Sequence, residues 1–452
     1  MSASESSPDG TAAQQRPEDN SHYLRAVTDM ADHCQVMTQE ALYTDRGIKL
    51  VDKDVRVDSA LYDRLVRYKL RGHIDDHLAV QDMVGVPALV HEATAQCEQD
   101  TLAYLLVHTL DGMAVERLLA PVRSLVLPHA LAFKLTVMRE QHHSLYVHSV
   151  RMMLVSIYLG LKSGMNEREC VHLAAAALLH DIGTLHLDPI WHDSSTRVTG
   201  AGRKELMAHP VTAALIVQAQ NVYPRSVAQA ILEHHECMDG SGYPRGLQGE
   251  QISPMGQILL VAEVASAFFE KYANEAAAQR LSLTLRMSHR KFPAALVACL
   301  LPALNIRAVQ ASLHVTSAQV HDLIELLSQT FADWQARSDA LAPALLAEGS
   351  GQACAFVTQR LATLQKTLFE AGSHPRQQAE ALAYLEGDEQ GLAELALLGR
   401  EALWQLQSII DATHSRWPRL QGGGEGEGDQ AVAQWGAAVA QRMGQAALAQ
   451  GS

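Results

Sequence analysis

Two adjacent histidines precede a glycine-rich turn in the stretch EHHECMDGSGYPRGLQGEQI, residues 233–252. Four other segments set a histidine or an acid into apolar, helix-forming sequence: YVHSV, LLHDIG, MAHP and LLVAEV. Taken singly, each histidine is more simply explained as a hydrogen-bonded core or surface residue. Together, five histidines and two acids offer enough nitrogen and oxygen donors for two divalent ions. This candidate metal site consists of His148, His180, Asp181, His209, His234, His235 and Glu263.

The HDIG segment is the most unusual of these. The His180-Asp181 pair ends the strongly apolar helix predicted over HLAAAALL, and Gly183 follows it closely. A carboxylate is costly to bury without a partner, and a bound cation would remove that cost. Asp181 has two oxygens and could therefore bridge two ions. The sequence thus predicts a two-metal site at the ends and inner faces of several helices.

Composition limits the partners of the chain. Its 452 residues include 50 acidic and 36 basic ones, a formal net charge of −14. A field of this sign repels nucleic acid and anionic membranes, so we expect no nucleic-acid partner, and an anionic substrate needs a local positive centre. Charged residues or proline interrupt the longest apolar runs, so we expect no membrane span. Six cysteines without CxxC spacing indicate reduced thiols and a cytoplasmic protein.

Hydrophobic residues make up 48% of the chain and aromatic residues 5%, and helical period is widespread, so we predict a mainly α fold. Residues 1–21 are a predicted disordered leader, 22–134 a small mixed regulatory module, and 135–311 the catalytic domain. Residues 312–420 are predicted C-terminal amphipathic helices, and 421–452 a flexible Gly/Glu linker with a terminal helix. We expect a homodimer through these apolar helices.

The histidine segments occur in the order of a known family. HDIG, and the pattern HHE-x-x-DG-x-G-Y-P-x-GL-x-G-x-x-I that is complete over residues 234–252, resemble the HD-GYP group of the HD metal-dependent phosphohydrolase superfamily. The resemblance covers residues 135–311 and implies an HD-type helical bundle. It also implies a bacterial phosphodiesterase that linearises or fully cleaves the second messenger cyclic di-GMP, with a metal-bridging hydroxide as nucleophile.

The resemblance also assigns roles to residues. It makes the seven donors named above metal ligands for iron or manganese, with His180 and Asp181 as the catalytic pair and Glu263 where the family usually has Asp. The signature loop would lie beside the active site and contact a protein partner; it contains Asp239, Gly240, Gly242, Tyr243 and Pro244. Candidate cations for the substrate phosphates are Arg203, Lys204, Arg245 and Lys271.

Several positions depart from the family pattern. Thr184 follows HDIG where the family usually has a lysine, and threonine carries no charge to stabilise a phosphate or a leaving oxygen. The Arg-Pro-Tyr-Arg-like segment that usually holds the dinucleotide phosphates is absent from FFEKYANEAAAQR. Ser144 stands where three-metal members have an acid, which favours two metals over three. Ser266 replaces the second acid that usually follows the position of Glu263.

Three functions are therefore compatible with the sequence. The first is an active cyclic di-GMP phosphodiesterase regulated by the N-terminal module, favoured because every histidine ligand is retained. The second is a metal-bound but catalytically weak receptor or scaffold, favoured by Thr184 and by the absent phosphate-binding segment. The third is an HD phosphohydrolase for another nucleotide, because lost dinucleotide contacts can change specificity rather than abolish activity.

Overall fold

The structure, a computed structural model, describes residues 17–450 except for gaps at 111, 193–199, 273–276, 289, 305–314, 348, 371–373, 383, 386–387 and 425. Most of the described residues are helical and the strands are few and short, which confirms the predicted mainly α class. The chain divides into two compact units. One comprises Met1–Ala273 and Arg290–Ala303, and the other comprises Asn274–His289 and Leu304–Ser452.

The first unit begins with a small mixed module. Its elements are α1 (Ser21–His33), β1 (Val36–Thr38), β2 (Leu42–Tyr43), β3 (Lys49–Val51), α2 (Tyr62–Arg67) and β4 (Leu78–Val80). Antiparallel pairs form between β1 and β4 and between β2 and β3. The alternating sequence GIKLVDKDVRV, residues 47–57, favours two short strands around a turn, but its second half forms no strand. There the backbone of Asp54 is left-handed (φ 58°), and Arg56 makes only an isolated bridge to Met37.

Helices form the remainder of the first unit. They are α3 (Val86–Gln99), α4 (Thr101–Thr109), α5 (Ala114–Arg123), α6 (His129–Gln141), α7 (His143–Lys162), α8 (Glu167–Leu179), α9 (Gly200–Leu206), α10 (His209–Ala219), α11 (Arg225–Glu233), α12 (Pro254–Lys271) and α14 (Ala294–Leu304). A capping box starts α8, because the side chains of Asn166 and Glu169 each accept the other's backbone N–H. Helix α7 packs against α8 and α12, and α11 packs against α8, α10 and α12, so these five helices form one bundle.

Helix α7 is the central element of this bundle. Within the described part of the chain it is the one helix long and apolar enough, by length and composition, to cross a membrane. However, 72% of its most apolar 18-residue stretch is buried inside the protein. The core helix of a globular domain has the same composition, because both environments exclude water from the side chains.

A buried polar cluster joins the N-terminal module to the 3-10 helix Ile182–His186, which follows the HD pair directly. Lys134 on α6 is 1% exposed. Its ammonium lies 3.4 Å from the Asp75 carboxylate and 3.5 Å from Nε2 of His186. The same ammonium lies 3.4 Å from the centroid of the Tyr23 ring, which stacks on His186. The module and the HD segment therefore share one buried set of polar contacts.

The disordered leader predicted over residues 1–21 is too long, because the last residues of that range are ordered. Asn20 caps α1 and donates its side-chain amide to the carbonyl oxygen of His186 (2.5 Å). The Asp19 carboxylate accepts the backbone N–H of Ile74 (2.7 Å) and lies 3.4 Å from Nδ1 of His73. These contacts order residues 19 and 20, because a helix start needs side-chain acceptors for its free N–H groups.

Among the described residues of the second unit, every regular element is a helix. It contains α13 (Ala277–Met287), α15 (Ser317–Asp339), α16 (Pro343–Leu346), α17 (Ala353–Glu370), α18 (Pro375–Leu382), α19 (Glu389–Arg416) and α20 (Glu427–Gln450). Its core includes Trp435, which donates its indole N–H to the carbonyl oxygen of Thr330 (3.2 Å). The acidic linker predicted from GGGEGEGD, residues 422–429, extends too far, because Asp429 is buried inside α20 and pairs with Arg419.

Candidate metal centre

The seven predicted metal ligands meet in the helical bundle of the first unit. One histidine lies on α7, a His-Asp pair follows the end of α8, one histidine begins α10, a His-His pair follows α11, and the glutamate lies in the middle of α12. Their donor atoms form two groups, and within each group all atoms lie within 4.8 Å of one another. The first group is Asp181, His209, His234 and His235, and the second is His148, His180 and Glu263.

The carboxylate of Asp181 faces both groups. Its Oδ1 lies 3.1 Å from Nε2 of His209 and 3.6 Å from Nε2 of His234. Its Oδ2 lies 3.3 Å from Nε2 of His180. One oxygen is thus available to each group, which is the geometry that a bridging ligand requires.

Backbone carbonyls orient three of the histidine rings. His180, His209 and His234 each donate Nδ1–H to the carbonyl oxygen three residues earlier, at 2.7, 2.6 and 2.6 Å. A carbonyl oxygen only accepts, so in the neutral ring Nε2 carries a lone pair. The Nε2 atoms of His209 and His234 face each other at 3.3 Å, where two lone pairs repel unless a cation lies between them. The donor set therefore fits divalent cations.

His148 has a different arrangement, which the sequence analysis missed. Its Nε2 lies 3.1 Å from Glu263, and its Nδ1 lies 2.9 Å from Oε1 of Glu270. Arg151 donates to the same Glu270 oxygen (2.6 Å). The spacing of Glu263 and Glu270, seven residues apart on one helix, could have indicated that both acids share a face of α12.

Two acids, Asp181 and Glu263, and two histidines, His148 and His180, shift one another's pKa. Burial disfavours the charged form of Asp181, but His180 and His209 together outweigh burial through their charges and hydrogen bonds and hold the pKa of this carboxyl well below its usual range. His148 and His180 together lower the pKa of Glu263 in the same way, also against burial. Conversely, burial opposes protonation of His148 and His180, but the carboxylates raise the pKa of His148 well above its usual value and that of His180 to about 9.

In the first group, the pKa values of the adjacent histidines His234 and His235 shift downward instead. Burial, reinforced by neighbouring imidazoles, lowers the pKa of His234 well below its usual value. Burial also lowers the pKa of His235, to about 4. Both rings are therefore neutral at pH 7, which is the protonation state that a metal ligand needs.

Affinity for Mn(II) is expected to rise with pH between about pH 6 and pH 9. His148 and His180 are protonated in the metal-free site at neutral pH, because their pKa is raised, and each must lose a proton to bind a cation. Each such histidine reduces the apparent affinity by up to about tenfold per pH unit below its pKa. Calorimetric titrations at several pH values, in buffers of different ionisation enthalpy, measure the affinity and the protons released. A pH-independent affinity would contradict this protonation state.

The signature loop lies against the first group. Glu236 is fully buried, and its carboxylate accepts the backbone N–H groups of Arg245 (2.7 Å) and Leu247 (2.9 Å). The Tyr243 ring stacks on the ring of His235, with centroids 4.7 Å apart, and the peptide bond after Tyr243 is cis. The final acid of the HHE motif thus holds the loop, and the loop covers one of the candidate ligands.

Comparisons with known proteins identify an HD domain in this part of the chain. A family model described as an HD domain matches residues 132–291. The curated cyclic di-GMP phosphodiesterase PdeB of Borreliella burgdorferi is 30% identical over 135 residues, 30% of this chain and 35% of its own. The HD domain match, curated phosphodiesterase relatives and the complete HHE-to-GYP pattern together decide the family. This domain belongs to the HD-GYP family.

Other relatives of the HD-GYP domain carry related names. The 3'3'-cGAMP-specific phosphodiesterase 3 of Vibrio cholerae is 30% identical over 120 residues, 26% of each chain. The cyclic di-GMP phosphodiesterase PA4108 of Pseudomonas aeruginosa is 30% identical over 141 residues, 31% of this chain and 34% of its own. The chain thus spans about a third or less of the length of these curated relatives. A solved HDG"Y"P protein of Bdellovibrio bacteriovorus is 17% identical with a TM-score of 0.33, covering 60% of this chain and 95% of its own.

Two glycines of the HD-GYP motifs permit close approach of backbone segments. A Cβ on Gly183 would lie 2.3 Å from the carbonyl oxygen of His209, so this glycine lets the HDIG turn rest directly on α10. A Cβ on Gly242 would lie 2.4 Å from the backbone nitrogen of Cys237. Both distances are shorter than a Cβ atom tolerates, so only glycine lets the backbone approach this closely at these two positions.

The predicted phosphate-binding cations have different surroundings among the described residues. Arg245 donates to the buried carboxylate of Glu233 (2.8 Å). Lys204 and Lys271 have exposed side chains, and the side chain of Arg203 lies outside the described residues. Thr184 is buried, and its hydroxyl donates to the carbonyl oxygen of Asp181 (2.6 Å).

Proposed function

We propose that this protein is a metal-dependent phosphodiesterase that hydrolyses cyclic di-GMP, to pGpG or to GMP, in bacterial second-messenger signalling. The observation that carries the proposal is the Asp181 carboxylate, with one oxygen towards each of two groups of donors. The curated names of its relatives, which specify cyclic di-GMP and 3'3'-cGAMP phosphodiesterases, support a cyclic dinucleotide as the substrate class.

In this proposal the two groups would hold two divalent ions, Fe or Mn, and Asp181 would be a ligand shared by both groups. Such ions lower the pKa of a water molecule and bind phosphoryl oxygens, which supplies a nucleophile and stabilises the developing charge. The chain contributes imidazoles oriented by backbone carbonyls, and two carboxylates whose pKa is low enough to keep them charged. The ions also provide the positive centre that a chain of net charge −14 needs for an anionic substrate.

Two alternatives follow from particular residues. A metal-bound receptor or scaffold is favoured by Thr184, an uncharged residue whose hydroxyl is already bonded to the backbone. Phosphohydrolysis of another nucleotide is favoured by Arg245, whose pairing with Glu233 occupies a candidate phosphate ligand. In each case the metal ligands are the same, and the difference lies in the groups that would bind the substrate.

Turnover of cyclic di-GMP by the anaerobically purified, Fe(II)- or Mn(II)-loaded protein tests the proposal. The double variant His180→Ala/Asp181→Ala is expected to abolish turnover. The chain offers a matched control, because His321-Asp322 is the same dipeptide, exposed on α15, and its double alanine variant should retain full activity. Equal turnover of both variants would contradict the proposed site. A metal-loaded wild type without turnover would favour the scaffold, and turnover of 3'3'-cGAMP or another nucleotide alone would favour changed specificity.

Three further features belong to the same proposal. The protein would act in the cytoplasm as a homodimer, and the N-terminal module would regulate access to the centre. The signature loop at Gly240–Pro244 would contact a protein partner. Sedimentation of the full chain, alone and with candidate partners, distinguishes a monomer from a dimer, and a loop variant that keeps its metals identifies the contact surface.

A further inference from the structure

The imidazole of His148 lies between two carboxylates of one helix. Glu263 and Glu270 are seven residues apart on α12, so they lie two turns apart on the same face. One contacts Nε2 of the ring at 3.1 Å, and the other contacts Nδ1 at 2.9 Å. When Nε2 binds a cation beside Glu263, Nδ1 keeps its proton. Glu270 is then placed to accept the hydrogen bond from Nδ1–H.

This arrangement distinguishes His148 from three other candidate ligands. His180, His209 and His234 donate Nδ1–H to carbonyl oxygens within their own helical turn, so local backbone geometry orients them. His148 lies inside α7, where the carbonyls are already used by the helix. Its ring orientation therefore depends on a side chain from another helix.

Glu270 is itself held by a second ion pair. Arg151 donates to Glu270 at 2.6 Å and to Oδ2 of Asp100 at 2.9 Å. Asp100 caps α4 through its other oxygen, which accepts the backbone N–H of Ala103 (2.9 Å). The side chain of Glu270 is 41% exposed, so without these partners it would be free to rotate into solvent.

We propose that Glu270 is a positioning residue that orients His148 towards the metal, and that Arg151 and Asp100 hold Glu270 in place. The inference rests on the proposed metal centre but not on its substrate. It assigns the second group a carboxylate–histidine–metal relay, and it connects that group to α4, which lies within the region predicted to be regulatory. Partners of this kind raise the basicity of the ring and fix its direction.

The test is a calorimetric titration of the metal-free full chain with Mn(II), which resolves the two ions as separate steps. E270A is expected to weaken one of the two ions by about 10–100-fold and to leave the other within about twofold. H148A identifies the affected step, and E270A should have no further effect in the H148A background, because both act on the same ring. E270Q retains an acceptor oxygen and should bind closer to wild type than E270A does.

D100N tests the relay without disturbing the helix, because asparagine caps α4 as well as aspartate does. It should weaken the same ion severalfold, and it should have no effect in the E270A background. The matched control is E98Q, a neutral substitution of an exposed acid at the end of α3. If E270A fails to fold, it loses both ions. The ion affinities of D100N then test the inference.

Two results would overturn the inference: E270A binding both ions as tightly as wild type, or E270Q binding as weakly as E270A. A wild-type chain that binds no divalent ion would also overturn it, together with the metal centre. Failure of the proposed function is distinguishable, since it leaves the ion affinities intact and removes only turnover. Failure of the inference alone leaves an active enzyme whose metal affinity does not depend on Glu270.

Discussion

Asp181→Asn is expected to lower cyclic di-GMP turnover by at least about a thousandfold and to leave at most one divalent ion bound. Aspartate offers an oxygen to each group, at 3.1 Å from His209 and 3.3 Å from His180. Asparagine has nearly the same shape but one oxygen and no charge, so it cannot bridge two cations. Stabilisation of transition-state charge by metal ions is worth several kcal/mol, and each ~1.4 kcal/mol is a factor of ten in rate.

Metal content by elemental analysis and turnover under anaerobic conditions measure the two effects separately. Asp322→Asn provides a control, because it makes the same substitution at an exposed position of the second unit. An Asp181→Asn protein that retains two ions would show that this carboxylate does not bridge them. Retention of more than about a tenth of the wild-type rate would contradict its place in the reaction.

Asp75→Ala is expected to destabilise the first unit by about 3–5 kcal/mol. The Asp75 side chain is fully buried, and its carboxylate lies 3.4 Å from the equally buried ammonium of Lys134. Removal of the acid leaves the buried lysine charge without the carboxylate of this ion pair, which costs far more than the ion pair itself contributes. Because Lys134 also contacts His186, the 3-10 helix after the HD pair should lose order as well.

Hydrogen exchange of peptides from α6 and from Ile182–His186 measures this effect locally. Asp63→Ala is a suitable control, because that acid is exposed in the same module. The double variant Asp75→Leu/Lys134→Met should recover much of the loss, since it removes both charges and fills the space with apolar side chains. A loss of less than about 1 kcal/mol in Asp75→Ala would show that the lysine is neutral or finds another partner.

Much of the candidate site was predictable because its chemistry lies in short, ordered segments. His180 and Asp181 close an apolar helix, and the HHE-to-GYP pattern places ring nitrogens, buried acids and permissive glycines at set spacings. The helix ends follow from local sequence, since Asn166 and Ser253 supply side-chain caps within a few residues. Local interactions of this kind can be recognised in a single sequence, because the interacting residues lie close together in it.

Contacts between distant segments could not be predicted in the same way. Nothing local indicates that Asp100 and Glu270 meet on Arg151, or that Asp75 is buried against Lys134. An acid on a helix surface and an acid in a relay have the same sequence pattern, and the packing of helices decides between them. The predicted leader and linker were too long for a related reason, because Asp19 and Asp429 become ordered only through partners elsewhere in the fold.

The sequence by itself determined the mainly α class, the HD-GYP family and the donors able to form a two-metal site, since these depend on residue type and local spacing. Only the tertiary structure decided which donors share a group, that Asp181 faces both groups, and that a carboxylate rather than a carbonyl orients His148. Helix packing sets those distances. Packing depends on side chains throughout the core, so no single segment of the sequence predicts it.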